Sequence, residues 1–201
     1  MEPHTKLRSL VGQTDIYLLD QILKGRYTST DKILDAGCGP GRNMCWFIAN
    51  GIAVYGNDQS EQAINHAKHI YTELPEDRLS IAPVNNLPYP DCFFDHVLSI
   101  AVLHFAVTED DYLGMVKEMV RVLKPGGTFF LRMTTAIGNE PQGESLGSGV
   151  YRIPDGSTRF LLTDGLLNET MVKFGLVYEE PFKAVNVNNV RVMCAALFKK
   201  L

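Results

Sequence analysis

Apolar positions along the chain alternate between two spacings. Ile16, Leu18, Leu19, Ile22 and Leu23 recur at helical spacing between Asp15 and Leu23. Ile33, Leu34 and Ala36 then form a short run bounded by turn residues, which predicts a strand buried on both faces. Asn43 to Asn50 predicts a helix with Met44, Phe47 and Ile48 on one side, stopped by Gly51. A second strand at Ile52 to Tyr55 closes at Gly56, Asn57 and Asp58, and Ser60 caps a helix reaching about Glu73. Leu79 to Ala82 and Phe94 to Ile100 read as the third and fourth strands, with turn chemistry in NNLPYPDC between them. Glu109 to Leu123 carries Tyr112, Met115, Val116, Met119, Val120 and Leu123 on one helical face; KPGG ends it, and Thr128 to Met133 is the fifth strand.

The texture then changes. Thr134 to Ser157 holds five glycines and two prolines without periodicity, which predicts a long loop of the kind that covers binding sites. Thr163 caps a helix to Phe174, with Gly175 as its stop. Leu176 to Val187 and Val190 to Lys199, about Asn188 and Asn189, read as an antiparallel hairpin, because asparagine tolerates left-handed backbone. Alternating helices and strands from residue 15 to residue 135 define an α/β protein with a mostly parallel sheet. With 201 residues and 45% hydrophobic content, one domain with a single core is expected over 1–201.

The candidate chemistry starts at ILDAGCGPGRN, where the first strand runs into Gly37, Gly39 and Gly41. Glycine takes positive φ without steric cost, and its missing Cβ leaves room for a ligand against the backbone. A helix starting there would offer free amides to an anionic or polar group. A dinucleotide fingerprint needs its third glycine one residue later, where Arg42 stands, so the register favours a cofactor without a pyrophosphate. Asp58, 21 residues after Gly37, can accept from both hydroxyls of a ribose; it can also simply cap the helix starting near Ser60.

Nineteen basic and 23 acidic residues give a net charge of −4, which argues against nucleic acid as an obligatory partner. The N-terminus lacks a signal-peptide core, and no segment reaches the ~18 apolar residues of a membrane span, so a cytoplasmic protein without membrane contact is expected. Cys38, Cys45, Cys92 and Cys194 are scattered, without metal-site spacing, and read as reduced thiols with no metal bound.

ILDAGCGPG, VYGNDQS, LPYPDCFFDHVLSIAVLHF and RVLKPGGTFFLR, in this order and with the terminal hairpin, resemble the motifs of class I S-adenosylmethionine-dependent methyltransferases over about residues 30 to 200. The resemblance implies a Rossmann-like seven-stranded mostly parallel sheet with helices on both faces and an antiparallel C-terminal β-hairpin, its last strand inserted beside the fifth. It implies S-adenosylmethionine as cofactor and S-adenosylhomocysteine as product. Asp35, Gly37, Cys38 and Gly39 would form the floor under the methionine part, with Asp35 holding its ammonium through water. Asp58 would take the ribose hydroxyls, Gln59 would lie against the adenine, Val84 and Asn85 would line its edge, and Ile100 would offer its carbonyl near the methionine end. Many relatives carry Gly-Asp-Ala where this chain reads Ala82, Pro83 and Val84, so the Asp that accepts from the adenine amine is missing.

A sulfonium methyl is already electrophilic, so the protein needs to supply alignment, desolvation and, for some acceptors, a base. His104, three residues after the fourth strand's expected end, is the candidate base; it can equally pack beneath the next helix. Arg132, Arg152 and Arg159 would clamp a carboxylate or phosphate if they converge. Tyr17, Tyr27 and Tyr151 could wall an acceptor pocket closed by the helical segment 1–30 and the loop 134–157. The expected activity is methyl transfer to a small or medium-sized acceptor through oxygen, nitrogen or sulfur. An RNA-modifying methyltransferase, a nicotinamide-dependent oxidoreductase and a non-catalytic S-adenosylmethionine-binding module remain the alternatives.

Overall fold

A computed structural model describes residues 3–138 and 143–201. Two short helices open the chain, α1 (Pro3–Val11) and α2 (Ile16–Leu23), the second capped by the Asp15 carboxylate, which accepts the Tyr17 amide. The strands β1 (Lys32–Ala36), β2 (Ala53–Asp58), β3 (Leu79–Ile81), β4 (Phe94–Ile100) and β5 (Leu123–Thr134) are mutually parallel, with β1 at the centre between β2 and β4. Crossovers run through α3 (Cys45–Ala49), α4 (Glu61–Ile70) and α5 (Glu109–Val122). The chain finishes with β6 (Glu144–Gly147), β7 (Val150–Arg152), β8 (Thr158–Phe160), α6 (Asp164–Phe174), β9 (Leu176–Tyr178), β10 (Lys183–Val187) and β11 (Arg191–Lys200).

The main sheet has the order β10-β11-β5-β4-β1-β2-β3, with β11 antiparallel beside β5, the Rossmann-like arrangement expected. It has eight strands rather than seven, because both β9 and β10 pair with β11 and together fill the edge position. The Asn188 and Asn189 turn holds both residues at positive φ (53° and 56°), the geometry that matches hairpin twist. Apolar clusters cover both faces of the sheet. Leu18, Phe47, Ile64 and Ala67 from α2, α3 and α4 lie on one, and Tyr112, Val116, Met119 and Leu166 from α5 and α6 on the other.

Three expectations change. The helix expected over Asn43–Asn50 is confined to Cys45–Ala49, because the glycine turn continues to coil through Met44, whose amide donates to the Gly41 carbonyl. KPGG does not separate helix from strand. It is the bulged start of β5, where Leu123 pairs with Phe94, and a Cβ on Gly127 would lie 2.6 Å from the Asp95 carbonyl oxygen. Within the expected loop 134–157, of which residues 139–142 lie outside the described residues, β6 and β7 join β8 in a three-stranded antiparallel sheet. That small sheet is anchored to the core rather than draped over it. Phe160 stacks on Tyr112 at 5.4 Å, and Thr134 and Thr135 donate their hydroxyls to the carbonyls of Phe160 and Leu162, both at 2.8 Å.

Candidate functional site

The carboxyl ends of β1, β2 and β4 open onto a cleft of about 580 Å³, the place where open parallel sheets bind ligands. The glycine turn forms its floor and is locked from several sides. Cys38 donates its amide to the Asn57 carbonyl at 2.9 Å, Gly41 to the Cys38 carbonyl at 3.0 Å, and Tyr71 donates its hydroxyl to the Gly41 carbonyl at 2.9 Å. Gly37 and Gly39 both have positive φ (73° and 55°), but their surroundings differ. A Cβ on Gly37 would meet Val102 Cγ2 at 2.6 Å, whereas one on Gly39 would meet nothing within 4 Å. Gly37 is therefore required by packing against β4's exit, and Gly39 leaves open space at the cleft.

Asp58 ends β2 at the cleft. Its Oδ2 accepts the Gly39 amide at 2.9 Å and its Oδ1 accepts the Ser60 amide at 2.8 Å, while Ser60 itself caps α4. The side chain steadies the helix entry, and its carboxylate lies at the cleft. Gln59, Val84, Asn85 and Ile100 line the same cleft, as do Gly37, Cys38 and Gly39. Burial pushes the Cys38 thiol up, so it remains protonated.

Asp35 does not line the cleft. It lies beneath the turn, 1% exposed, with Oδ2 lacking a partner among the described residues. Burial pushes its carboxyl up to about 7, opposed by Arg42 and reinforced by Asp58. An orphaned buried carboxylate oxygen, open space over Gly39 and the Asp58 carboxylate together fit a ligand with a cationic group, a slender middle and a hydroxylated ring. The cleft is large enough for a cofactor of that size.

The other expected residues lie apart from the cleft lining. His104, 7% exposed, sits in the 3-10 turn Leu103–Phe105 with Nδ1 lacking a partner among the described residues, and it is Phe105 that lines the cleft. Burial, with the Arg159 and Arg191 guanidinium groups nearby, pulls its imidazole down to about 4. The arginines do not converge. Arg132 donates to Asp15 Oδ2 at 2.9 Å and to the Cys194 carbonyl at 3.3 Å, and its guanidinium lies 4.5 Å from the Tyr17 ring centroid. Arg152 pairs with Glu144 at 3.4 Å, and Arg159 lies over the Phe105 ring at 5.1 Å. Tyr151 faces Arg159 across the β7–β8 pairing, and Tyr27 is buried against Phe47 and His96.

Residues not foreseen as site residues complete the cleft. Ala101, at φ 62° immediately after β4, donates its amide to the Arg132 carbonyl at 2.8 Å; left-handed backbone in a non-glycine residue marks the strand exit as a held conformation. Asn43 lines the cleft and accepts the Asp15 amide at 3.0 Å, and Arg42 donates to the Gln13 carbonyl at 3.2 Å, so the N-terminal segment is tied to the turn. Asp111 and Met115 enter from α5. The helical spacing of Met115 was visible in the sequence, but assigned it to the core.

Residues 34–131 match a family model described as a methyltransferase domain. The tRNA (carboxymethyluridine(34)-5-O)-methyltransferase of Arabidopsis thaliana is 38% identical over 109 residues, 52% of this chain and 24% of that protein. The 27-O-demethylrifamycin SV methyltransferase of Amycolatopsis mediterranei is 32% identical over 134 residues, 61% of this chain and 48% of that protein. The chain thus spans about a quarter to a half of the curated relatives it matches. A solved S-adenosylmethionine-dependent methyltransferase from Methanosarcina mazei superimposes with a TM-score of 0.71 at 20% identity, covering 90% of this chain and 97% of that one, which speaks for the fold. The family match covers just under half of the chain, and residues 34–131 are similar to a methyltransferase domain, on a fold shared with solved S-adenosylmethionine-dependent methyltransferases.

Among the described residues no helix is long and apolar enough to cross a membrane, and no group of three histidine, cysteine or acidic side chains could hold a metal ion. All four cysteines are free.

Proposed function

We propose that the chain transfers the methyl group of S-adenosylmethionine to a small or medium-sized acceptor at oxygen, nitrogen or sulfur. The observation that carries this reading is the single cleft that brings Gly37, Gly39 and Asp58 together over the orphaned Asp35 carboxyl. Asp35 holds the cofactor's ammonium through water, Gly37, Cys38 and Gly39 form the floor, and Ile100 offers its carbonyl to the methionine end. Asp58 accepts from the ribose hydroxyls, Gln59 lies against the adenine, and Val84 and Asn85 line its edge. When bound, the cofactor supplies a methyl group on a sulfonium, an electrophile that needs no further activation.

The chain's own task is to orient the acceptor and exclude water. Phe105, 60% exposed at the cleft with the Arg159 guanidinium over its ring, gives an acceptor an apolar shelf beside a positive charge. The N-terminal segment, joined to the glycine turn by the Asp15–Asn43 and Arg42–Gln13 bonds, and the small sheet, whose Arg159 lies over Phe105, serve as covers for that mouth. His104 packs edge-on against Phe105 as a positioning residue, since it is absent from the cleft lining and stays neutral. The free thiols fit a reducing, cytoplasmic setting.

Calorimetric titration with S-adenosylhomocysteine tests the cofactor assignment, and no binding would sink it. Methyl transfer from labelled S-adenosylmethionine to a panel of phenols, carboxylates, amines and thiols separates an enzyme from a module that only binds the cofactor. Because one relative is named for a tRNA substrate, bulk transfer RNA belongs in the same panel. The net charge of −4 favours the small molecules.

A further inference from the structure

The cleft contains an acidic side chain that also closes the start of α5. The segment that would present a carboxylate to the adenine amine reads Ala82, Pro83 and Val84, and Pro83 lines the cleft with no side-chain acceptor. Helix α5 runs alongside this segment. Glu118 accepts the Leu87 amide at 3.0 Å, and Arg121 donates to the carbonyls of Leu87 and Tyr89 at 3.0 and 2.8 Å, which staples the helix to residues 87–89. Met115 and Asp111 precede Glu118 by three and seven positions, so all three share one helix face, with Asp111 about 10 Å nearer the helix start. Met115 and Asp111 line the cleft together with Pro83, Val84 and Asn85. Asp111 is half-buried and fixed. Its Oδ2 accepts the Val107 amide at 3.1 Å, its own amide donates to Thr108 Oγ1 at 3.1 Å, and Oδ1 has no partner among the described residues.

We infer that Asp111 supplies from α5 the acceptor that position 83 lacks, taking a hydrogen bond from the 6-amino group of the cofactor's purine, with Val84 and Met115 against the ring. An ionised carboxylate only accepts, so it selects a 6-aminopurine and rejects a 6-oxopurine, whose oxygen at that position would face it. The inference rests on the cofactor reading above.

Calorimetry with S-adenosylhomocysteine and S-inosylhomocysteine tests it, on the full chain and on Asp111→Asn, which keeps the side chain's size and an oxygen for the Val107 amide. The unsubstituted chain should prefer the adenosyl ligand by at least about tenfold. Asp111→Asn should weaken that ligand by at least about tenfold and shrink the preference to within about threefold, since asparagine can donate to the inosyl oxygen. A thermal melt within a few degrees of the parent establishes that the variant is folded. Full discrimination retained in Asp111→Asn overturns the inference and leaves the cofactor reading standing. Failure of the unsubstituted chain to bind either ligand overturns both.

Discussion

Gly39 donates its amide hydrogen to Asp58 Oδ2 at 2.9 Å, joining residues 19 apart and fixing the distance between the ends of β1 and β2. The carboxylate therefore sets the turn's shape as well as offering acceptors at the cleft. Asp58→Ala is expected to weaken S-adenosylhomocysteine binding by about 30-fold or more, because charge-assisted hydrogen bonds contribute ~1.5–3 kcal/mol each. Asp58→Asn, which can still accept the Gly39 amide, should retain more of the folding stability than of the affinity. Equal affinity in all three proteins would refute the ribose role.

Gly37 and Gly39 should separate stability from binding. Gly37→Ala places a methyl group 2.6 Å from Val102 Cγ2 in a left-handed backbone, and should cost about 2 kcal/mol or more in urea denaturation. Gly39→Ala meets open space and should cost only about 1 kcal/mol of backbone strain, yet reduce cofactor affinity because the methyl group occupies ligand space. The opposite pattern would mean that the open side of the turn is not where the ligand lies.

Asp35 gives the fold a pH dependence of defined sign. Its folded value, about 7, lies above the ordinary 3.8, so its contribution to stability is fully present below about pH 4 and falls as pH rises through about 7. Asp35→Asn should remove this opposing contribution, so that stability in urea denaturation rises more steeply with pH between 4.5 and 7.5 than in the parent. Bringing a cationic ammonium near this carboxyl favours its ionised form, so S-adenosylhomocysteine binding at pH 7 should release part of a proton. The measurement is the difference in calorimetric heat between buffers of low and high ionisation enthalpy; no difference would refute it.

His104 acts in the other direction. Its folded value of about 4 lies below the ordinary 6.5, so its contribution is present above about pH 6.5 and is lost as pH falls toward 4. Over that window the two buried groups oppose each other, and the parent chain should show a flatter profile than either Asp35→Asn or His104→Gln. NMR titration should find the His104 ring neutral at pH 5, and His104→Gln should leave cofactor affinity within about twofold. A ring that titrates near 6.5 would restore it as a candidate proton acceptor.

Arg132 and Asp15 form an ion pair whose side chains are 14% and 12% exposed, tying α2 to β5 across 117 residues. A double-mutant cycle with Asp15→Asn and Arg132→Met should give a coupling of about 1–3 kcal/mol. A coupling near zero would release Arg132 to serve an acceptor.

What could be read along the chain was what local chemistry decides. Ser60 and Thr163 as caps, Gly175 as a stop at φ 63° and the Asn188–Asn189 turn need only their neighbours. β4 was legible to the residue because Phe94, Val97, Leu98 and Ile100 follow directly on the turn chemistry of NNLPYPDC. The sheet of β6, β7 and β8 was not, since β6 is exposed throughout and its companions are three residues long. Its order comes from the distant Tyr112–Phe160 stack. The same limit applied at the cleft. The glycine turn and Asp58 follow a spacing, whereas Asp111 reaches its place through the bonds of Glu118 and Arg121 to residues 87–89, and Arg132 is taken from the expected clamp by Asp15.

The bridge between Thr135 and Leu162 has a further consequence. The excursion carrying the small sheet leaves and rejoins the main sheet at adjacent points, so it is a closed appendix whose length the sheet does not sense. Doubling such a loop costs only about 0.6 kcal/mol of closure entropy. The outer part of the excursion can therefore change in length while Phe160 stays against Tyr112 and the cleft at the ends of β1, β2 and β4 is left as it is.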